Sequence, residues 1–294
     1  MRAVIIGCVE TSRVALQTLA SLDCVDIRGV VTRSASDFNS DFVDLRPIAE
    51  EIGAPVYLVN EQGKAGETQW ISDLAPDVIY CIGWSWLLPK ELLTVPAKGT
   101  VGYHPSALPA NRGRHPIVWA LALGLTETAS TFFLMNEEAD GGDILSQVSV
   151  PIAKDDTARD LYDNLLHCIP EQIVDLSIGL ATDKSRRLAQ DPRQANNWRK
   201  RTKDDGRIDW RMSAASIYNL VRALAPPYPG AHFVYAGREV KVLRAEIVTE
   251  RRRNVEPGKI IDAADGCLTI KCGEDAIRLV DVSLDVPLQM GAYL

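Results

Sequence analysis

The chain has 294 residues, 46% hydrophobic and 24% charged, with a net charge of −7 and no low-complexity stretch; it can bury the core of one large and one small domain, which excludes a disordered or fibrous protein. The opening Met1-Arg2-Ala3-Val4-Ile5-Ile6-Gly7-Cys8 has one basic residue and an apolar run that stops at Gly7. That is too short for a signal peptide or a membrane span, so a cytoplasmic protein without a membrane partner is expected.

Residues 1–199 hold 17 basic and 26 acidic side chains, and residues 200–294 hold 15 and 13. Neither part is the strongly basic surface that a nucleic-acid partner normally needs. The six cysteines have no CxxC spacing and read as buried thiols, and His104, His115, His167 and His232 form no HxxxH pattern. No metal is implied.

In chain order, Ala3–Ile6 reads as a strand, Ser12–Leu22 as a helix and Val25–Thr32 as a strand. A helix near Glu67–Leu74 leads to a strand at Ala75–Tyr80, and Gly99–Tyr103 is a further strand. This alternation is the rhythm of a parallel sheet with crossover helices, an α/β class whose ligands sit beyond the carboxyl ends of strands. Gly7 alone is no GxGxxG fingerprint, since Val9 and Ser12 stand where further glycines belong, so a dinucleotide site is not expected. Thr128–Leu134 and Ile144–Val150 are strand-like, and Asp156–Leu166 has the apolar spacing of a helix at Ala158, Leu161, Tyr162, Leu165 and Leu166.

Ser185–Arg201 loses apolar periodicity and reads as a linker. The expected division is a first domain over 1–190, a linker over 191–205 and a second domain over 206–294. Ser213 can cap a helix with an inner face of Ile217, Leu220, Val221 and Leu224, which Pro226-Pro227-Tyr228-Pro229-Gly230 ends. Five β-rich runs follow, at His232–Tyr235, Glu239–Leu243, Lys259–Asp262, Leu268–Lys271 and Ile277–Val282, which suggests a small barrel.

The segment with the most chemistry is Val101–Ile117, where a strand ends in His104 and a turn rich in Pro, Asn, Arg and Gly leads to a helix at Ile117–Leu123. Its downstream partner is Met135-Asn136-Glu137-Glu138-Ala139-Asp140-Gly141-Gly142-Asp143-Ile144-Leu145. The two segments resemble the signatures of the formyltetrahydrofolate-dependent formyltransferases, usually Asn-x-His-x-Ser-Leu-Leu-Pro-x-x-Arg-Gly and Asp-x-Gly-Asp-Ile-Leu. Asp205–Trp210 and Arg222–Ala231 resemble the start of that family's C-terminal domain, so the likeness covers nearly the whole chain.

The resemblance implies a Rossmann-like parallel-sheet formyltransferase domain followed by a small β-rich, OB-like barrel. It implies catalysis by His104 and Asp140, with N10-formyltetrahydrofolate as co-substrate near Trp84, Trp86, Leu87 and Leu88 and the loop Asn136–Asp140. One departure stands out: Gly102 lies where the family's catalytic Asn, which helps hold the formyl oxygen, would fall. Either another donor fills the role, with Asn111, Ser106 and the Trp84 indole as candidates, or the glycine makes room for a different substrate group. In the same turn as Gly113, Arg112 and Arg114 could hold the diphosphate of a nucleotide-linked acceptor.

The chemistry explains the residue types. An amine attacking a formyl carbon generates an oxyanion and an excess proton, so the site needs a hydrogen-bond donor and a proton acceptor close together. Histidine, with an unperturbed pKa near ~6.5, serves either role, and a carboxylate beside it fixes its tautomer and stabilises its cation. Asp140 suits that better than Asp143, because it holds the first position of the Asp-x-Gly-Asp motif.

Within the family the acceptor is a nucleotide, an initiator tRNA or a nucleotide-linked amino sugar. The C-terminal domain excludes the smallest type, and the acidic first part disfavours tRNA, which remains the alternative as in methionyl-tRNA formyltransferase. The turn Leu108–Arg114 resembles the sugar enzymes, and Gly102–Pro109 with Asn111–Pro116 is similar to bacterial surface-sugar enzymes that formylate a UDP-linked 4-amino-6-deoxy sugar, as in pseudaminic acid-type synthesis. A non-catalytic folate- or nucleotide-binding protein is the other reading, made conceivable by Gly102. A homodimer is left open.

Overall fold

The computed structural model describes residues 1–36, 39–59, 66–264, 266–283 and 288–294. In chain order the elements are β1 (Arg2–Ile6), α1 (Glu10–Ala20), β2 (Asp26–Thr32), α2 (Arg46–Glu51), β3 (Val56–Leu58), α3 (Glu67–Asp73), β4 (Val78–Cys81), α4 (Lys90–Leu93), β5 (Thr100–His104), β6 (Arg112–Gly113) and α5 (Pro116–Ala122). They continue with β7 (Glu127–Leu134), β8 (Ile144–Pro151), α6 (Ala158–Ala181), β9 (Asn197–Trp198), α7 (Ala214–Ala223), β10 (Ala231–Tyr235), β11 (Arg238–Val248), β12 (Ile260–Ala264), β13 (Cys267–Lys271) and β14 (Ala276–Val282). The chain forms two compact units: Met1–Gly113 with Thr128–Val150 and Asp163–Trp198, and Arg114–Glu127 with Pro151–Tyr162 and Arg199–Leu294.

The first unit is built on a seven-stranded sheet of order β3-β2-β1-β4-β5-β7-β8. Its first five strands pair in parallel, and β7 runs antiparallel to β5. Alternation along β1 explains the layering, since successive side chains of a strand point to opposite faces. Ala3 and Ile5 join a cluster with Leu16, Leu19, Ile169 and Ile173, while Val4 and Ile6 join another with Ile71 and Leu92. Helices thus cover both faces, which is why the strands read as continuous apolar runs.

Strand order reverses between β1 and β4, the position where such sheets bind ligands. Cys81 at the end of β4 is in register with Gly102 of β5, so the segment after Cys81 and His104 lie at the same end of the sheet.

The second unit carries a five-stranded antiparallel sheet of order β10-β11-β14-β13-β12. All five expected runs are strands in it. The α7 helix is capped as expected, with the Ser213 hydroxyl accepting the Ser216 amide at 3.1 Å, and it buries Ile217, Leu220 and Val221.

The short elements and the length of α6 were missed. The α2 and β3 elements have six and three residues, too few to establish a period. The α6 helix runs on through Pro170 to Ala181, because burying Ile169, Ile173, Leu176 and Leu180 in the core outweighs the one hydrogen bond that proline forfeits.

Candidate active site

His104 closes β5 and is 5% exposed. Its Nε2 lies 2.9 Å from the Asn111 carbonyl oxygen. A carbonyl can only accept, so Nε2 carries a hydrogen, and in the neutral ring Nδ1 holds the lone pair. Nδ1 is 3.7 Å from Asp140 Oδ2, longer than a hydrogen bond. The tautomer is therefore set by the backbone of the catalytic-like turn, a role the sequence reading assigned to the carboxylate.

Asp140 is held in place from several directions. Its Oδ2 accepts the Gly113 amide at 2.9 Å, and its carbonyl accepts Gln190 Nε2 at 2.8 Å. The same Gln190 amide donates to the Gly142 carbonyl at 2.6 Å, and Gln190 Oε1 accepts Arg112 Nη2 at 2.7 Å and Nε at 3.1 Å. Arg112 Nη1 reaches Glu138 Oε1 at 2.7 Å. Arg112 is 4% exposed, so its guanidinium ties the Asp140 loop to the Gln190 segment and does not present itself to a diphosphate.

Residues 188–198, read as a linker, dock on the first unit. Leu188 bridges Ile144, β9 pairs with β6, Asn196 Oδ1 accepts the Asn111 amide at 2.8 Å and its carbonyl accepts the Arg112 amide at 3.0 Å. Sequence reading missed Gln190 and Asn196 because these contacts are polar and mostly to backbone, leaving no apolar period to detect.

Gly102 has a definite answer. A Cβ built there would lie 2.8 Å from Met135 Cγ and 2.8 Å from Phe133 Cζ. The space of the family's Asn is filled by this chain's own side chains, so the glycine does not open room for a substrate group. Replacing Gly102 by Asn is expected to destabilise by about 1–3 kcal/mol, the range for overpacking, without raising kcat. Thermal melting with initial rates checks this; a faster, equally stable variant would contradict it.

Ser106 is fully buried. Its hydroxyl donates to the Ala110 carbonyl at 3.1 Å and its carbonyl accepts Thr131 Oγ1 at 2.6 Å, so it braces the turn and is removed from the candidate donors. Asn111, held at φ +64°, stays in the turn through its backbone contacts to His104 and Asn196.

At the carboxyl end of β4, the Trp84 and Trp86 rings meet edge to face with centroids 5.0 Å apart, and the Arg33 guanidinium lies 4.7 Å over Trp86. Leu88 is buried in the core and Leu87 is 71% exposed. Trp84 Nε1 is buried with no acceptor among the described residues. Asn136 is exposed, its Oδ1 accepting the Glu138 amide at 2.9 Å, and Arg114 is exposed in the second unit.

Cys8, Cys81 and Cys272 are buried as expected, whereas Cys24, Cys168 and Cys267 are half-buried. Among the described residues no cluster of three or more His, Cys, Asp or Glu side chains could hold a metal, and no helix is long and apolar enough to cross a membrane.

The chain is 32% identical to the methionyl-tRNA formyltransferase of Caldanaerobacter subterraneus subsp. tengcongensis, over 99% of this chain and 94% of that protein. Among solved structures it resembles the N-formyltransferase from Helicobacter canadensis in complex with folinic acid and dTDP-3-aminofucose, with TM-score 0.71, 15% identity, and coverage of 94% of this chain and 98% of that one. It also resembles a variant of HypX from Aquifex aeolicus, with TM-score 0.65, 17% identity and 96% of this chain covered, but it spans only 44% of that longer protein. Residues 8–176 match the formyl transferase family and residues 200–292 match the formyl transferase C-terminal domain, and on these matches the chain belongs to the formyl transferase family.

Proposed function

We propose that the protein transfers the formyl group of N10-formyltetrahydrofolate to the amine of a nucleotide-linked amino sugar in the cytoplasm, with His104 and Asp140 as the catalytic pair. The observation that carries this reading is the placement of His104 Nδ1 3.7 Å from Asp140 Oδ2, with Nε2 tied to the Asn111 carbonyl. The folate supplies the formyl group as an activated amide. Its pterin is proposed to lie against Trp84, Trp86 and Leu88 at the strand-order reversal, where the buried Trp84 N–H has no acceptor among the described residues and a ring heteroatom would satisfy it.

His104 then does the proton work. Its Nδ1 takes the excess proton from the amine as the new C–N bond forms, with the carboxylate of Asp140 stabilising the imidazolium, and gives it to N10 of the folate as the C–N10 bond breaks and tetrahydrofolate leaves. With Ser106 engaged and the Gly102 space filled, the oxyanion donor is drawn from Asn111, the Trp84 indole or the protonated His104 itself.

The sugar acceptor rests on the acidic first part of the chain and on the likeness to a structure holding a dTDP-linked aminosugar. A methionyl-tRNA acceptor is the second reading, favoured by the 32% identity over nearly the full chain.

Two measurements test this. Titration with 5-formyltetrahydrofolate is expected to quench tryptophan fluorescence, and an unchanged signal with no calorimetric heat overturns the folate reading. A panel of UDP- and dTDP-linked amino sugars against methionyl-tRNA, with folate release monitored, is expected to turn over a sugar; faster formylation of the tRNA reverses the choice.

A further inference from the structure

The Gln190 side chain is a polar centre beside the catalytic pair that the proton chemistry does not use. A primary amide has two hydrogens on nitrogen and two lone pairs on oxygen, and Gln190 engages all four. Its Nε2 donates to the Asp140 carbonyl at 2.8 Å and to the Gly142 carbonyl at 2.6 Å, while its Oε1 accepts Arg112 Nη2 at 2.7 Å and Nε at 3.1 Å. The opposite orientation of the amide would set its oxygen against two carbonyls and its nitrogen against a guanidinium, so the neighbours fix one orientation.

Both carbonyls belong to the loop that carries the Asp140 carboxylate. Asp140 sits at φ +56°, in the left-handed region that a side chain disfavours, so contacts from outside the loop must keep it there. The Gly113 amide holds the carboxylate itself, donating to Oδ2 at 2.9 Å, and Gln190 holds the backbone on either side of Gly141. Gln190 is in turn aligned by Arg112, which is 4% exposed and reaches back to the same loop through Glu138 Oε1 at 2.7 Å.

The segment that presents Gln190 is anchored without it. Leu188 and Ile144 exchange two amide-to-carbonyl bonds of 2.9 Å, and Asn196 accepts the Asn111 amide at 2.8 Å through Oδ1 and the Arg112 amide at 3.0 Å through its carbonyl. Gln190 therefore reaches the Asp140 loop from a fixed base, and a change of its side chain removes the contact without freeing the segment.

We infer that Gln190 is a positioning residue for formyl transfer, whose amide fixes the backbone of Asp140 and Gly142 and so keeps the Asp140 carboxylate beside His104. This rests on the catalytic pair proposed above. The residue type follows from the two kinds of neighbour. A glutamate would still accept from Arg112 but would turn an oxygen toward two carbonyls, and a leucine would offer neither half of the contact.

Gln190→Glu and Gln190→Leu test this against the parent. The Gly113 amide reports where the carboxylate lies, and its hydrogen exchange, followed by NMR, needs neither folate nor acceptor. The reference is the Ile82 amide, which donates to the Ile6 carbonyl at 2.9 Å in the sheet. Exchange at Gly113 relative to Ile82 is expected to quicken about 10-fold or more in both variants, the scale of losing two hydrogen bonds. Gln190→Glu keeps a partner for the buried Arg112 and so guards against a folding defect in Gln190→Leu.

Formyl transfer from N10-formyltetrahydrofolate, to whichever sugar or tRNA acceptor is turned over fastest, should show kcat lowered about 10-fold or more. The affinity for 5-formyltetrahydrofolate should stay near the parental value, because the proposed pterin contacts come from Trp84, Trp86 and Leu88. In an Asp140→Asn background, Gln190→Glu should cost almost nothing further, since no carboxylate is left to position. An equal cost in both backgrounds marks a role in stability alone and overturns the inference, as does parental Gly113 exchange in both variants. Parental activity of Asp140→Asn by itself is the separate result that overturns the catalytic pair, and the positioning role with it.

Discussion

His104→Asn is expected to retain folate binding while kcat falls on the order of 10²-fold or more, the scale of losing a general acid–base residue. The shorter asparagine amide reaches only about as far as Nδ1, so the bond that the Asn111 carbonyl now accepts from His104 Nε2 at 2.9 Å is given up, and thermal melting beside the rates separates a loosened turn from the lost base. What disappears is the basic nitrogen at the Nδ1 position. Asp140→Asn should do comparable damage, because a neutral amide 3.7 Å from Nδ1 cannot stabilise an imidazolium.

The two losses should not multiply. A carboxylate that acts through the histidine has little left to do once the histidine is gone, so the double mutant should resemble the worse single one. Single-turnover rates with saturating folate measure this directly. A double mutant showing the full product of both effects would mean that the residues act independently, and near-parental activity in His104→Asn would remove the catalytic assignment altogether.

The second large effect is expected where backbone approaches backbone. A Cβ on Gly142 would lie 1.7 Å from the Leu134 carbonyl oxygen, and one on Gly113 would lie 2.3 Å from the Trp198 carbonyl oxygen. Neither carbonyl can rotate away as a side chain could, since Leu134 ends β7 and Trp198 pairs in β9. Gly113 also sits at φ +102°, where a side chain adds strain to the clash.

Gly142→Ala and Gly113→Ala should therefore each cost about 3 kcal/mol or more and displace the Asp140 loop, lowering kcat as well as the melting temperature. Gly53→Ala is the control: φ is +69° but nothing lies within 4 Å of its Cβ position, so about 1–2 kcal/mol is expected, with kcat unchanged. If the three alanine variants melt together, the close approaches are not what these glycines serve.

The sequence by itself determined the α/β alternation of the first unit, the five strands of the second and the pairing of a strand-terminal His104 with Asp140. The first two follow from local rules, apolar period and turn chemistry, and the third from the resemblance of two segments to a family's signatures. It also carried the absence of the family's Asn at position 102, without its consequence.

Tertiary structure decided that consequence, because Phe133 and Met135 come from β7 and the residue just after it, on the neighbouring strand, and no local pattern says which side chain fills a vacated space. The same holds for Arg112 and Ser106. Each is a polar residue in a promising turn, and only the positions of Gln190, Glu138 and Ala110 turn them inward. Gln190 lies fifty residues from Asp140 in the chain, and a side chain that bonds to backbone carbonyls leaves no period to read. Long-range polar contacts of this kind are set by which segments the packed sheet brings together, so the histidine's tautomer and the clamp on its carboxylate emerge only in the folded chain.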